Sequence, residues 1–234
     1  MTKKLFIILP LFALIFTSCG TRGSNAVQAE NISDCIDGVV INGVRWATRN
    51  VDMPGTFAEN PEDAGMLYQW NRSYGWRSTP HYTDNERNLM RWSTQRWNPT
   101  IGTNGGWEDV DWDASIPTGT AWYAENDPCP EGWRVPNFAE IELLRRVGVW
   151  ATLNGVYGNL VGTAPHQIFL PAAGFRRGCV GSLSDVGEWG YFWSSTTQDN
   201  RRENAWRVGF GNGDVLVLNN WRGHGFSVRC VAIE

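Results

Sequence analysis

Apolar and polar positions alternate in several short stretches of the chain, the period of a half-buried β-strand. Val39-Val40-Ile41 and Val44-Arg45-Trp46 flank Asn42-Gly43, and Asn-Gly supplies the positive φ angles that a two-residue hairpin turn needs. Gln167-Ile168-Phe169-Leu170-Pro171 is a short apolar strand. Trp206, Val208 and Phe210 alternate with Arg207 and Gly209, and Asn212-Gly213 turns that strand back into residues 215–218. Residues 226–231 alternate again and predict a last strand. Helical spacing is rarer. After Pro136, Asn137 is placed to cap a helix and Glu140 completes a capping box, with Ile141, Leu144 and Val147 as the apolar stripe. A second, weaker helix is predicted over residues 151–160, against which Gly155 and Gly158 count. Residues 71–122 follow neither period and are rich in turn residues and tryptophan, which predicts long ordered loops; loops of that length are functional or packed by their own side chains. The expected fold class is α+β: small antiparallel sheets, one or two short helices and long irregular loops.

The start of the chain reads differently. Lys3 and Lys4 precede an apolar run over residues 5–16, followed by Thr17-Ser18-Cys19-Gly20. The run is too short to span a bilayer, which takes ~20 apolar residues, and has the order of a secretory signal. Small residues before a cysteine resemble the lipobox of bacterial lipoproteins. That resemblance implies residues 1–18 as a signal peptide, a lipid on Cys19, and residues 19–34 as a flexible tether. The alternative is an ordinary signal peptide followed by an unrelated cysteine. Residues 35–234 then form a single domain, long enough for a core of its own.

Both lysines fall within residues 1–18, so every later basic side chain is an arginine. The remaining 18 arginines face 24 carboxylates, a net charge of −6. That balance argues against nucleic acid as a partner, since phosphates call for a basic footprint, and leaves the lipid anchor as the only membrane contact. Besides Cys19 there are Cys35, Cys129, Cys179 and Cys230, an even number that suits disulfides outside the cytoplasm. Four cysteines allow three pairings, and the sequence does not choose among them.

Five blocks carry a resemblance: Gly43-Val44-Arg45-Trp46-Ala47-Thr48-Arg49-Asn50-Val51, residues 128–136 (PCPEGWRVP), residues 169–176 (FLPAAGFR), residues 190–196 (GYFWSST) and residues 225–231 (GFSVRCV). Together and in this order they resemble the Fibrobacter succinogenes major paralogous domain, common on surface lipoproteins of Bacteroidetes, over about residues 37–231. That family resembles the C-type-lectin-like fold, which also occurs in formylglycine-generating enzymes. The resemblance implies paired N- and C-terminal strands, a large irregular region, and a disulfide between Cys129 and Cys230. Cys35 and Cys179 are then left as a second pair. Trp193-Ser194-Ser195 followed by Ala205-Trp206, Phe210 and Asn219-Asn220 also resembles the variable region of target proteins of diversity-generating retroelements. This implies a diversified segment over residues 199–224, in which Glu203, Trp206 and Trp221 would be fixed.

Catalytic signals are weak. His81, His166 and His224 have no metal-ligand spacing and there is no CxxC, nucleophile elbow or phosphate loop. The expectation is a non-enzyme without cofactor. Gln198-Asp199-Asn200 offers oxygen ligands of the kind calcium takes, but a polar surface loop explains the triplet equally, and calcium stays unsupported. Trp97, Trp107 and Trp112 have rings that stack on sugars or fill a core. The resemblance points to a binding face near the C-terminus. Asp199, Asn200, Arg201 and Arg202 form one edge. Arg207, Asn212 and Asp214 occupy outward positions, and Asn219, Asn220, Trp221, Arg222 and His224 form the other edge. Arginine, tryptophan and asparagine combine rigid area with hydrogen bonding, as binding anchors do. The expected protein is a lipoprotein on the outer membrane or cell surface of a Gram-negative bacterium that binds a protein or glycan. A structural adhesin or fimbrial subunit is one alternative, and an oxidative enzyme of the formylglycine-generating type is the other.

Overall fold

A computed structural model describes residues 38–79, 81–83, 91–93, 95–98, 106–109, 111–146, 148–199 and 201–233. In chain order it has strands β1 (Val39–Ile41), β2 (Val44–Trp46), β3 (Met66–Gln69), β4 (Gly75–Arg77), β5 (His81–Thr83), β6 (Arg91–Ser93), β7 (Gln95–Asn98), β8 (Gly106–Asp109) and β9 (Trp133–Arg134). Helix α1 (Phe138–Glu142) follows and runs into a 3-10 turn over Leu143–Arg146. Then come β10 (Gly148–Leu153), β11 (Val156–Thr163), β12 (His166–Pro171), β13 (Phe175–Arg176), β14 (Leu183–Ser184), β15 (Trp189–Gln198), β16 (Arg201–Gly211), β17 (Asp214–Trp221), β18 (Gly225–Phe226) and β19 (Val231–Ala232). The fold is therefore a sheet-rich α+β arrangement of small antiparallel sheets.

Local chemistry accounts for much of this. Asn42 and Gly43 take φ of 50° and 83°, so β1 and β2 pair from Ile41↔Val44 outward as the Asn-Gly turn predicts. The Asn137 side chain accepts from the Glu140 N–H at 3.0 Å while the Glu140 carboxylate accepts from the Asn137 N–H at 2.7 Å, the reciprocal capping box. Ile141 and Leu144 are buried beneath it; Val147 lies outside the described residues.

Three expectations are corrected. Residues 151–160 are not a helix: β10 and β11 form a hairpin around Asn154-Gly155, whose φ angles of 47° and 84° repeat those of the first turn. Gly155 marks a turn there, which a helical reading counts only as a weak position. Residues 71–122 are not all loop, because β4, β7 and β8 extend a seven-stranded sheet of order β14-β13-β18-β3-β4-β7-β8. Residues 226–231 are not one strand. β18 ends at Phe226 in the seven-stranded sheet, and β19 belongs to another sheet of order β1-β2-β19-β9. The segment between is buried on both sides, so its alternation of residue types does not sort an inner from an outer face.

That segment, within the last of the five sequence blocks, is the frame of the molecule, and the other four blocks converge on it. Ala47 N–H donates to the Cys230 carbonyl at 2.9 Å and Val51 N–H to the Val228 carbonyl at 3.0 Å. Cys129 and Cys230 form the disulfide that the resemblance implies. Val231 pairs with Arg134 and with Trp46. Ser227 N–H donates to the Tyr191 carbonyl at 3.0 Å and its own carbonyl accepts from Trp193 N–H at 3.1 Å.

Arg229, at the centre, is 1% exposed. Its guanidinium donates to the carbonyl oxygens of Ala47 (3.1 Å) and Phe169 (2.9 Å) and twice to Asn50 Oδ1 (3.0 and 2.7 Å). Asn50 Nδ2 passes the tie on to the Ala64 carbonyl at 3.0 Å. Burial pulls the pKa of Arg229 down to about 9, with nearby Arg49 acting the same way, which still leaves it charged at neutral pH. A lysine would bring three donors on one atom and could not hold three separate acceptors in this planar layout.

Arg176 repeats the device at the end of β13. It is 3% exposed and donates to the carbonyls of Arg77 (2.8 Å) and Gly181 (2.6 Å). Burial, then Arg77, lowers its pKa to about 10.

Candidate functional site

The sheet β15-β16-β17 carries most of the predicted face. One side of it packs on the core through Phe192, Val208, Phe210 and Val217. The β15–β16 register shifts between Trp193↔Arg207 and Thr197↔Ala205, and again before Gln198↔Arg201. Such a bulge bends a strand end and re-aims its side chains. Beside that bent end runs an irregular segment, residues 116–120. Ala121 bridges to Thr196, Trp122 N–H donates to the Ser195 carbonyl at 3.2 Å, and Thr197 Oγ1 donates to the Thr120 carbonyl at 3.2 Å. Beyond these ties the two walls part and leave a cleft of about 770 Å³. Ile116, Pro117, Thr118, Gly119 and Thr120 line one wall, and Thr197, Gln198, Asp199, Arg202, Glu203 and Arg222 the other.

Asp199, Arg202 and Arg222 of the predicted face therefore meet in one cleft. Arg201 is exposed at the same end of β16, and Asn200 lies outside the described residues. Asn219, Asn220 and Trp221 also sit at this end, paired with Trp206, Ala205 and Asn204. Asn212 and Asp214 do not join them: they are exposed at the β16–β17 turn, about 30 Å away at ~3.3 Å per residue along β16. The twelve predicted residues are not one surface.

Several of them are also structural rather than outward. Arg207 is 6% exposed; its Nε donates to Asn220 Oδ1 at 2.9 Å and its guanidinium lies 4.9 Å from the centre of the Tyr191 ring. Gly209, whose missing side chain leaves the space that Arg207 Nη1 occupies, lets the guanidinium lie against the sheet. Asn219 Oδ1 accepts from Asn204 Nδ2 at 2.8 Å. The Trp221 ring covers Gly178 so closely that a Cβ there would come within 2.4 Å of it. Arg222, 3% exposed, stacks 4.2 Å over Trp70 and donates to the Gly119 carbonyl at 2.8 Å. It thus pins the loop wall of the cleft while contributing to its lining. Among the described residues no carboxylate pairs with Arg176, Arg207, Arg222 or Arg229.

His224 points inward. Its ring stacks on Phe226 at 5.7 Å, with Phe175 and Trp221 edge-on, and its Nδ1 accepts from Gly178 N–H at 3.0 Å, which requires that nitrogen to be unprotonated. His166 is exposed at the start of β12. Trp112 packs 4.5 Å from Trp76 and donates its indole N–H to the Gly178 carbonyl at 2.8 Å, so it is part of the scaffold. The side chains of Trp97, Trp107 and His81 lie outside the described residues. Cys179 is an exposed free thiol; Cys35, its expected partner, and the lipidation candidate Cys19 lie outside the described residues.

The loop wall 116–120 is the part of the cleft that sequence reading missed. Nothing in Ile116-Pro117-Thr118-Gly119-Thr120 carries a motif, and Thr120 meets Thr197 across a separation of 77 residues. Gln198, which the sequence places in a polar surface loop, is instead the last residue of β15 and lines the cleft.

Residues 161–231 match the model of a domain of unknown function (DUF8237). That span runs from within β11 to the first residue of β19. No curated protein and no solved structure matches the chain.

Burial lowers the pKa of His224 below its ordinary 6.5, and the charges of Arg207 and Arg177 act the same way, against a hydrogen bond to the Arg176 backbone. The unfolded chain then binds a proton that the folded one refuses, so stability is lost as pH falls through 6.5 toward the lowered value. Urea unfolding at about pH 7.5 and about pH 5 will show a larger loss for the native chain than for His224→Gln. Equal losses would contradict this placement.

Proposed function

We propose that the chain is an exported lipoprotein held to a membrane through Cys19, with a C-type-lectin-like domain of the Fibrobacter succinogenes major paralogous type that binds a ligand at the β15–β16 end. The cleft carries this reading. It combines an apolar patch at Ile116 and Pro117 with charged side chains of both signs, Arg202 and Arg222 against Asp199 and Glu203. It is walled by irregular chain on a rigid sheet, where binding residues commonly sit. A diversified segment over residues 199–224 would place its altered side chains both in the cleft and at the distant β16–β17 turn. The pairing of β19 with β2 and the Cys129–Cys230 disulfide accord with the lectin-like reading. That disulfide occupies the C-terminal cysteine that formylglycine-type chemistry would need free.

A second reading, a structural adhesin or fimbrial subunit, draws on β17. This strand lies at the edge of its sheet with Leu216 and Leu218 exposed, at 37% and 45%. An edge strand with exposed apolar side chains is a place where a partner chain can dock.

One set of variants separates the two. The lipid-free protein is screened against a glycan array and a displayed peptide library, and affinity is measured for whatever probe binds. Arg202→Ala should weaken it about tenfold or more, while Asn212→Ala and Asp214→Ala leave it unchanged. Loss in Leu216→Asp with none in Arg202→Ala would move the site to β17 and contradict the cleft. For the anchor, Cys19→Ser should release the protein from the membrane fraction; undiminished membrane retention would contradict lipidation.

A further inference from the structure

We propose that Asn212 is a site of covalent self-modification: the Gly213 backbone nitrogen displaces ammonia from the Asn212 side chain, and water opens the resulting ring to an aspartyl or isoaspartyl residue.

The chain has four Asn-Gly pairs, of which Asn104-Gly105 lies outside the described residues. The other three sit in two-residue turns, closed by Ile41↔Val44, Leu153↔Val156 and Gly211↔Asp214. These turns are matched in much that bears on the reaction. Each joins an edge strand of its sheet to the strand beside it. All three asparagines are exposed. Nothing lies within 4 Å of where a side chain would begin on Gly43, Gly155 or Gly213, so the glycines are equally open. What differs is the asparagine. Asn42 Nδ2 donates to the Leu143 carbonyl at 3.1 Å, and Asn154 Nδ2 donates to a Glu62 carboxylate oxygen at 2.6 Å. Both residues also hold the left-handed conformation that suits such a turn, with φ of 50° and 47°. Asn212 has neither feature. Its side chain has no hydrogen-bond partner among the described residues, and in its turn only Gly213 takes a positive φ, 94°.

The reaction forms a bond from the Gly213 nitrogen to Asn212 Cγ and breaks the Cγ–Nδ2 bond. The attacking nitrogen gives up its proton, and Nδ2 leaves as ammonia. Water then adds to either carbonyl of the five-membered ring, which yields Asp or its isoaspartyl isomer. Ring closure swings Cγ toward the main chain, so an Nδ2 held by an acceptor must first be released. Giving up one such hydrogen bond slows closure about threefold or more. Asn212 closes without that delay. The product carries a new carboxylate two residues from the exposed Asp214. By the isoaspartyl route it also gains a main-chain carbon in a turn of only two residues. Neighbouring like charges and a lengthened turn both work against the β16–β17 pairing. The cleft lies at the other end of β16, so this site is independent of the binding reading.

The test follows the three turns by peptide mass mapping while the lipid-free chain is held at mildly alkaline pH. In the folded chain Asn212 should lose its amide about threefold or more faster than Asn42 or Asn154. In guanidinium the three should convert at similar rates, because the fold sets the difference. Glu62→Ala should raise the Asn154 rate toward that of Asn212, while Asn42 in the same sample stays slow and reports that the fold is intact. Equal rates in the folded chain would overturn the assignment. So would an advantage of Asn212 that persists in guanidinium, or an Asn154 rate untouched by Glu62→Ala.

Discussion

A buried guanidinium that meets only neutral oxygen atoms holds this fold together. Arg229 gathers the Ala47 and Phe169 carbonyls and the Asn50 side chain into one point, and the chain on either side of it carries the disulfide and the meeting of two sheets. The reason lies in the chain's irregularity. Short strands and long connections leave many backbone carbonyls without ladder partners, and each one buried must find a donor. An arginine offers five N–H groups in one plane. Arg176, Arg207 and Arg222 do the same work elsewhere, each with carbonyl or amide acceptors. A carboxylate partner would neutralise the charge but use up the donors that the carbonyls need.

This division of labour also separates frame from site. The other four sequence blocks converge on residues 225–231, the fifth; none of the cleft-lining residues belongs to any of them. The cleft is built from what surrounds the frame, namely a bulged strand end and a motif-free loop. Arg222 connects the two, since it is buried like a frame residue yet fixes the loop wall through Gly119. The match to a domain of unknown function spans β12 to β18 whole, but β18 and β19 pair with β3 and β2 from the other end of the chain. Those strands are therefore completed only by residues outside the matched span.

How much of this the sequence discloses depends on how local the cause is. The turn at Asn42-Gly43 and the cap at Asn137 follow from a few adjacent residues and are legible. The turn at Asn154-Gly155 has the same chemistry, yet helix-compatible neighbours and a period judged over ten residues mask it. The β16–β17 hairpin is legible, but which of its side chains face outward is not. Arg207 alternates as an outward residue should, and is covered because Tyr191 and Asn220 arrive from neighbouring strands and Gly209 leaves it room. The joining of β15 to residues 116–122 is a long-range contact with no periodic signal, and the cleft depends on it. Arginine chosen to the exclusion of lysine is visible in composition, but its meaning appears only once the acceptors are known.

The most direct measurement is urea unfolding of Arg229→Lys beside Arg201→Lys. Lysine keeps the charge and loses the planar fork, so Arg229→Lys should cost about 3 kcal/mol through acceptors left unmet in the interior. The exposed Arg201→Lys should stay within about 0.5 kcal/mol of the native chain. If Arg229→Lys were equally neutral, charge rather than carbonyl collection would be what the buried arginine supplies, and the account given for this fold would be wrong.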